Sequence, residues 1–135
     1  MIFHLYPLVL SQLETNTPLQ MGGTGKPLRQ FLYSKDVAKM ILWAIDSYND
    51  PSPIIFSVGE EDEITIKDVT EIIAEAMQFK GQIIFDSSIP DGQYKKTASN
   101  KKLLSLYPDF KYTPIRQAVK ETVDWYIQNF ETARK

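Results

Sequence analysis

The 135-residue sequence predicts a small mixed α/β domain. Short apolar runs of strand length alternate with longer segments whose apolar residues recur every three or four positions, as in amphipathic helices. Clusters of glycine and proline separate these segments, and 43% hydrophobic residues are enough for a packed core. No strand-rich run is long enough for a barrel, so we expect one α/β unit with about 110 ordered residues.

The first half of the chain is predicted to contain two strands and one helix. Residues 22–28 (GGTGKPL) form a loop because glycine and proline cluster there, and residues 29–33 form a short strand. Ser34 is expected to cap a helix that ends near Tyr48, and a proline-containing loop then leads to a strand at 54–58 (IIFSV). The apolar positions that recur on one side of this helix, and are expected to face the core, are Val37, Ala38, Ile41, Leu42 and Ile45.

A second helix is predicted to begin at Thr65. Asp68 follows three residues later, which makes a relative of the capping box, and Gly81 is placed to end the helix. The next strand candidate is 82–86 (QIIFD). The expected buried stripe of the helix consists of Ile66, Val69, Ile72, Ile73, Ala76 and Met77.

The last third of the chain is predicted to be a loop followed by two helices. The polar loop covers residues 87–96 and contains the turn signal Pro90-Asp91-Gly92. Ser99 can cap a short helix through Leu104, and Thr113-Pro114 opens the longest helix, with proline at the first helical position. The residues expected to face inward from that helix are Ile115, Ala118, Val119, Thr122, Val123, Tyr126, Ile127 and Phe130.

Composition and charge exclude several classes of protein. The chain contains no cysteine, which excludes disulfides, thiolate metal sites and a cysteine nucleophile, and a cytoplasmic location fits best. No apolar run approaches the roughly 20 residues that span a bilayer, so no membrane partner is expected. Residues 1–10 carry no basic leader and no cleavage site follows them, which argues against a signal peptide. A net charge of -2 without a basic patch argues against a nucleic-acid partner.

The glycine-rich segment fails the spacing tests for phosphate-binding loops. A dinucleotide fingerprint needs a third glycine where Leu28 stands, and a helix rather than a strand should follow. A P-loop needs a hydroxyl after Lys26, where Pro27 stands, and a glycine at Gln20. No cofactor-binding residues are therefore expected in this segment.

Three other patterns are interpreted as structural rather than catalytic. The single histidine, His4, has no partners at metal-ligand spacing. The run 60–63 (EEDE) lies just before a helix start, where carboxylates are favoured, so a solvated loop is preferred to a metal site. Tyr107 and Lys111 have the Y-x-x-x-K spacing of short-chain dehydrogenases, but Pro108 disfavours the helix that this chemistry requires. We predict no catalytic residue and no metal site.

Two segments are more specific: GGTGKPLRQFLYSKDVA at 22–38 and FDSSIPDGQYKKTASNKKL at 85–103. The first resembles the G-[ST]-G-x-x-x-R-x-F-[IL]-[YH]-x-x-D motif of extended short-chain dehydrogenases that act on nucleotide sugars. The second has a Phe-Asp strand end, then P-D-G and a basic pair, and resembles the GDP-L-fucose synthases in particular. VGEEDEITIKD and QAVKETVDWY are also similar to that family, so the resemblance runs from about residue 17 to the end.

The resemblance implies an NADP-dependent, homodimeric enzyme that epimerises GDP-4-keto-6-deoxy-mannose at two carbons and then reduces the ketone to give GDP-L-fucose. It implies that residues 17–135 are the carboxy-terminal lobe that binds the nucleotide sugar, without the Rossmann domain. The catalytic serine, tyrosine and lysine and the dinucleotide fingerprint would then lie upstream. Residues 1–16 form a divergent leader, in which Leu8 stands where the family has a substrate-binding lysine. We therefore expect the chain to bind the GDP-sugar at most, to bind no NADP(H), and to be inactive alone.

The resemblance also implies a set of substrate-binding residues. Arg29 matches the arginine that meets the substrate diphosphate, and its alternative role is an ion pair with Asp36. Asp91 matches a substrate-binding aspartate, with a turn-forming role as the alternative. Lys96, with Lys95 beside it, matches the basic position near the phosphates, and a solvated loop is the alternative for both.

Gly22 stands where the family usually has a tryptophan that packs on the nucleotide, so stacking worth on the order of 1–3 kcal/mol is in question. Two other functions remain open beside a synthase fragment. One is a stand-alone GDP-sugar-binding or interaction module. The other is the lobe of another nucleotide-sugar epimerase or dehydratase, against which the P-D-G-x-x-K-K stretch argues.

Overall fold

The computed structural model describes Val9, Thr15 and residues 17–133. The predicted leader 1–16 lies outside the described residues apart from those two positions, and so do His4 and Leu8. The strands of the described part are β1 (Leu19–Gly22), β2 (Leu28–Arg29), β3 (Ile64–Thr65) and β4 (Ile83–Asp86). Its helices are α1 (Ser34–Ser47), α2 (Ile66–Ala76), α3 (Lys101–Leu106) and α4 (Ile115–Gln128), with a short 3₁₀ helix at Glu60–Asp62.

Two small sheets organise the chain. β1 pairs in parallel with β4, from Leu19 opposite Ile83 to Gly22 opposite Asp86. β2 pairs antiparallel with β3, and on its other side the amide of Leu28 donates to the Tyr94 carbonyl at 2.8 Å. This mixture of short parallel and antiparallel pairs with helices confirms the predicted α/β class. The strand predicted at 82–86 is confirmed as β4.

The glycine loop 22–28 meets the start of α2. The first amides of a helix have no partner inside the helix and need acceptors elsewhere. The amide of Ile66 donates to the Pro27 carbonyl at 3.0 Å, and that of Lys67 to the Gly25 carbonyl at 2.9 Å. Thr65 and Asp68 form the predicted capping box, in which Thr65 Oγ1 accepts from the Asp68 amide at 2.9 Å. α2 is therefore fixed to the loop that precedes β2.

Two apolar clusters form the core. The larger lies between β1, α2 and α4, as the inward faces of both helices predict. Its buried members are Val9, Leu19, Val69, Ile73, Met77, Val119, Val123 and Tyr126. The smaller cluster joins α1 to α3 and the segment after α3, and its buried members are Met40, Leu103 and Phe110.

Helix α1 turns a different face to the core from the one predicted. Its buried residues are Asp36 and Met40, whereas Ile41, Leu42 and Ile45 are 44%, 68% and 78% exposed. Asp36 accepts from the Thr113 amide at 2.7 Å and the Thr113 hydroxyl at 3.0 Å, and this pair turns the polar residue inward. Aromatic rings from 107–112 cover the Met40 side, including Tyr107, which stacks on Trp43 at 4.9 Å. Ala38 is also exposed, whereas Val37 is half-buried and packs against the smaller cluster, so the predicted inward face is confirmed at Val37 only.

The strand predicted at 54–58 does not form among the described residues. A strand needs a hydrogen-bonded neighbour, and in this part of the chain side chains satisfy the carbonyls instead. Tyr112 Oη donates to the Ser57 carbonyl at 2.6 Å, and Gln30 Nε2 donates to the Val58 carbonyl at 2.8 Å. The strand predicted at 29–33 is likewise reduced to 28–29, because β3 supplies only two partner residues.

Several helix ends differ from the prediction. Ser34 is the first residue of α1 and Tyr33 holds the capping position, without a side-chain cap. α2 ends before Gly81, because Gln78 takes the left-handed conformation at φ 58°. The last two helices also shift. Asn100, not Ser99, holds the capping position of α3. Pro114 immediately precedes α4 rather than being its first residue. Ile127, predicted to face inward from α4, is 53% exposed.

None of the helices in the described ranges has the length and apolarity needed to cross a bilayer.

The exposed apolar face of α1 predicts that the isolated chain self-associates. Full burial of an aliphatic side chain is worth about 1.5–3 kcal/mol, so we expect this face to drive self-association. Leu42→Lys combined with Ile45→Lys should shift the chain toward monomer in analytical ultracentrifugation. Ile127→Lys on α4 is the matched control and should change the distribution less. A compact monomer of the unmodified chain at high concentration would contradict the prediction.

Candidate functional site

The predicted substrate-binding residues lie around one loop, residues 87–98, which passes beside the glycine loop and β2. The loop leaves β4 through a turn in which Asp86 Oδ1 accepts from the Ser88 amide at 2.9 Å. It returns to the sheet at Lys95, which forms a parallel bridge with Leu28. The 87–98 loop is thus held at its start by the Asp86 side chain and near its end by main-chain pairing with Leu28.

Asp91 fastens the middle of the 87–98 loop to the glycine loop. Its Oδ1 accepts from the Thr24 amide at 2.8 Å, and its Oδ2 accepts from the Thr24 hydroxyl at 2.5 Å. The hydroxyl and then the amide of Thr24 hold the pKa of the Asp91 carboxyl below its usual range. Gly23 makes the approach possible, since its φ is 89° and an added Cβ would lie 2.4 Å from Asp91 Oδ1. The carboxylate contacts another loop rather than its own turn.

Lys95 is held by carboxylates. Its Nζ forms ion pairs with Glu60 and, at 3.3 Å, with Glu63, whose side chain is only 3% exposed. The hydrogen bond that Lys95 donates to Glu60 is the main cause that raises the pKa of Lys95. The acidic run 60–63 is therefore partly a structural partner of Lys95 rather than a fully solvated loop. The residues that the structure describes include no group of three or more metal-binding side chains.

Arg29 lies beneath the 87–98 loop and has main-chain partners. Its Nη1 donates to the Leu28 carbonyl at 2.6 Å and to the Tyr94 carbonyl at 3.4 Å. An added Cβ on Gly92 would lie 4.0 Å from Nη2, so the guanidinium is also close to the P-D-G turn. The alternative ion pair with Asp36 is wrong, because Asp36 binds Thr113 and Lys39 instead. No carboxylate in the described ranges pairs with Arg29.

Lys96 and Gly22 lie at opposite ends of the same region. Lys96 is exposed and forms no ion pair with any residue that the structure describes. Gly22 ends β1, and an added Cβ there would lie 3.1 Å from Cδ1 of Ile89. The side chain of Ile89, which is 49% exposed, thus lies against Gly22. The structure brings Arg29, Asp91 and both lysines to one loop.

Gln30 is the residue of this region that the sequence did not reveal. Its Nε2 donates to the carbonyls of Val58, Gly59 and Ala98 at 2.8, 3.2 and 2.9 Å. Its Oε1 accepts from the Ala98 amide at 2.7 Å. Gln30 occupies the unrestricted position of R-x-F, so its residue type carried no signal.

A separate cleft of about 450 Å³ lies between residues 31–36, the 3₁₀ helix and the start of α4. None of the predicted substrate-binding residues lines it, and the Asp36 carboxylate at its edge is already bonded to Thr113. Tyr107 lies just beyond the last residue of α3, so its spacing to Lys111 is not that of a helical turn. Neither feature resembles a catalytic arrangement.

Sequence and structure comparisons identify close relatives. Residues 3–59 match the profile of the NAD dependent epimerase/dehydratase family. A GDP-L-fucose synthase of Dictyostelium discoideum is 60% identical over 123 residues, which are 91% of this chain and 38% of the relative. A probable GDP-L-fucose synthase of Drosophila melanogaster is 42% identical over 138 residues, which cover all of this chain and 43% of the relative.

Solved structures agree with these relatives. A crystal structure of a GDP-L-fucose synthetase from Naegleria fowleri superposes with a TM-score of 0.96 at 49% identity, over 98% of this chain and 40% of that one. A second crystal structure of that protein, bound to NADP, gives a TM-score of 0.94 at 50% identity, over 97% of this chain and 41% of that one. The chain spans about two fifths of the length of the relatives it matches.

The contact between Asp91 and Thr24 predicts a measurable pKa. Thr24→Val removes the hydroxyl but keeps the amide, so the pKa of Asp91, followed by NMR, should rise toward its ordinary value of 3.8. Because folding lowers this pKa, the contact stabilises the fold above about pH 4 and is lost as the pH falls through the lowered value. Thr132→Val, remote from the loop, is the control. An unchanged Asp91 pKa in Thr24→Val would refute the assignment.

Proposed function

The chain belongs to the GDP-L-fucose synthase family, and from this premise we propose that residues 17–135 are the part that binds the GDP-sugar. The observation that carries the proposal is Arg29. Its guanidinium lies under the 87–98 loop, and within the described part it has carbonyl but no carboxylate partners. A planar cation with free N–H groups suits the oxygens of a diphosphate.

The two lysines of the loop have different roles in this proposal. Lys95 is neutralised by Glu60 and Glu63, so it holds the loop in place rather than contributing charge to a ligand. Lys96 is exposed and is free to approach a phosphate oxygen. The proposed diphosphate contacts therefore come from Arg29 and Lys96, one on each side of the loop's return to β2.

Asp91 and Gly22 determine which other parts of the ligand this site can contact. With both oxygens bonded to Thr24, Asp91 retains lone pairs that can accept from a hydroxyl group of the substrate, and it also fixes the loop beside the phosphates. Gly22 offers no ring for the nucleobase, so only the aliphatic surface of Ile89 is available there. We propose that stacking on the guanine contributes less to affinity here than it would beside an aromatic ring.

We propose that turnover requires the part of the relatives' sequences that this chain does not cover. The implied reaction epimerises GDP-4-keto-6-deoxy-mannose at two carbons and reduces the ketone with NADPH. That chemistry requires acid and base groups and a bound dinucleotide, and the described residues of this chain supply neither a fingerprint nor a tyrosine and lysine on one helical turn. We therefore propose that this chain binds the GDP-sugar without converting it.

Calorimetric titration with GDP, GDP-fucose and UDP-glucose tests the binding proposal. We expect heat with both GDP ligands and little with UDP-glucose. Arg29→Ala should lower the affinity for GDP by at least about tenfold, because a charge-assisted hydrogen bond is worth about 1.5–3 kcal/mol. Arg116→Ala is the matched control and should leave binding unchanged, since Arg116 pairs with Glu75 near the end of α2 opposite to the one that meets the glycine loop.

Three outcomes count against the binding proposal. Absence of binding by the unmodified chain removes the GDP-sugar site altogether. Equal affinity for UDP-glucose favours the lobe of another nucleotide-sugar enzyme. Equal effects of Arg29→Ala and Arg116→Ala exclude Arg29 as the diphosphate ligand.

An NADPH oxidation assay tests the proposed lack of turnover. With GDP-4-keto-6-deoxy-mannose as substrate, the purified chain should leave the NADPH absorbance unchanged, while a full-length GDP-L-fucose synthase, as positive control, should consume it. The physical reason is that hydride transfer requires the dinucleotide to be held against the ketone. Substrate-dependent oxidation by this chain alone would overturn the proposal.

A further inference from the structure

We propose that Gln30 is a positioning residue for the diphosphate site. It follows β2, and its side chain binds the end of the 87–98 loop. This inference rests on the proposed function, because the site that Gln30 would position is the one containing Arg29 and Lys96. Gln30 itself lies half-buried and is not offered as a ligand.

The contacts of Gln30 with Ala98 reproduce those of a neighbouring strand. The Ala98 amide donates to Oε1 at 2.7 Å, and Nε2 donates back to the Ala98 carbonyl at 2.9 Å. A reciprocal pair of this kind is what two residues exchange in an antiparallel ladder. The side-chain amide therefore attaches the loop a second time, three residues beyond the parallel bridge between Leu28 and Lys95.

The same side chain also holds the segment that carries the acidic run. Nε2 contacts the carbonyls of Val58 and Gly59, immediately before Glu60. Glu60 and Glu63 in turn hold Lys95. The sequence neighbours of Lys96 are therefore both held in place. Lys95 pairs with Glu60 and Glu63, and the Thr97 hydroxyl donates to Glu63 at 2.5 Å.

Arg29, the last residue of β2, and Gln30, which follows it, thereby act on different parts of the same loop. Arg29 contacts the loop at Tyr94 and lies close to Gly92, while Gln30 contacts it at Ala98. Lys96 lies between these two contact points. Gln30 therefore acts together with the main-chain pairing at Leu28 to fix the Lys96 backbone relative to the Arg29 guanidinium.

Only an amide side chain satisfies this geometry. Glutamate keeps the acceptor for the Ala98 amide but loses the two N–H groups that the three carbonyls share, and leucine loses all of these bonds. An unsatisfied main-chain group in a half-buried position favours opening of the loop. A positioning role therefore predicts a loss of affinity that exceeds what general destabilisation causes.

The test compares Gln30→Ala with two controls. Gln30→Ala should weaken GDP binding by about tenfold, measured well below the melting temperature, because the two phosphate contacts lose their fixed separation. Gln117→Ala, which removes a surface amide from α4, should leave binding unchanged. Asp36→Ala removes the bonds to Thr113 and is expected to lower the melting temperature, but should keep GDP affinity within about twofold.

Hydrogen exchange of the Ala98 amide provides a readout that does not depend on ligand. It should be faster in Gln30→Ala and unchanged in Gln117→Ala and Asp36→Ala. If Gln30→Ala does not fold, Gln30→Glu replaces it, since the acceptor for the Ala98 amide remains while GDP affinity should still fall. Unchanged affinity, or affinity lost equally in Asp36→Ala, overturns the positioning role.

The failure of this inference is distinct from that of the proposed function. If the unmodified chain binds no GDP, the proposed function fails, and Ala98 exchange alone decides whether Gln30 holds the loop. If the unmodified chain binds GDP and Gln30→Ala binds it equally well, only the role of Gln30 fails.

Discussion

The parallel pairing of β1 with β4 is the constraint on which the rest of the structure depends. It joins Leu19 to Ile83, so everything between them forms one long crossover connection, as parallel strands require. Closing so long a loop costs entropy, which the buried contacts of Leu19 with α2 and α4 offset. The pairing also ends at Gly22 and Asp86, where the glycine loop and the 87–98 loop begin side by side.

From that shared starting point, the site is built by polar contacts between loops rather than by regular secondary structure. Asp91 joins the two loops at Thr24, while Gln30 and the bridge at Leu28 close them further along. Charge is distributed unevenly over this framework. Glu60 and Glu63 pair with Lys95, whereas the guanidinium of Arg29 and the ammonium of Lys96 have no acidic partner among the described residues.

The sequence predicted those parts of the fold that depend on local chemistry. The α/β class, strand β4, the capping box of Thr65 and the inward stripe of α2 all follow from period and capping rules. The face of α1 could not be predicted, because it is decided by long-range contacts: Thr113 bonds to the buried Asp36, and the segment after α3 packs on Met40. The segment 54–58 has the composition of a strand, but composition does not supply the neighbour that a strand needs. The motifs predicted the residues of the candidate site. The ion pairs that neutralise Lys95 and the bonds by which Gln30 joins three segments connect residues far apart in sequence, so no local pattern predicts them.

The close approach of Gly23 to Asp91 has a consequence for how this region can evolve. An added Cβ at position 23 would lie 2.4 Å from the Asp91 carboxylate, and the φ of 89° already disfavours any side chain there. A substitution at position 23 is therefore tolerated only if position 91 changes as well, and the carboxylate at 91 loses its amide donor unless position 23 stays glycine. The two positions, 68 residues apart in sequence, therefore constrain each other's substitutions.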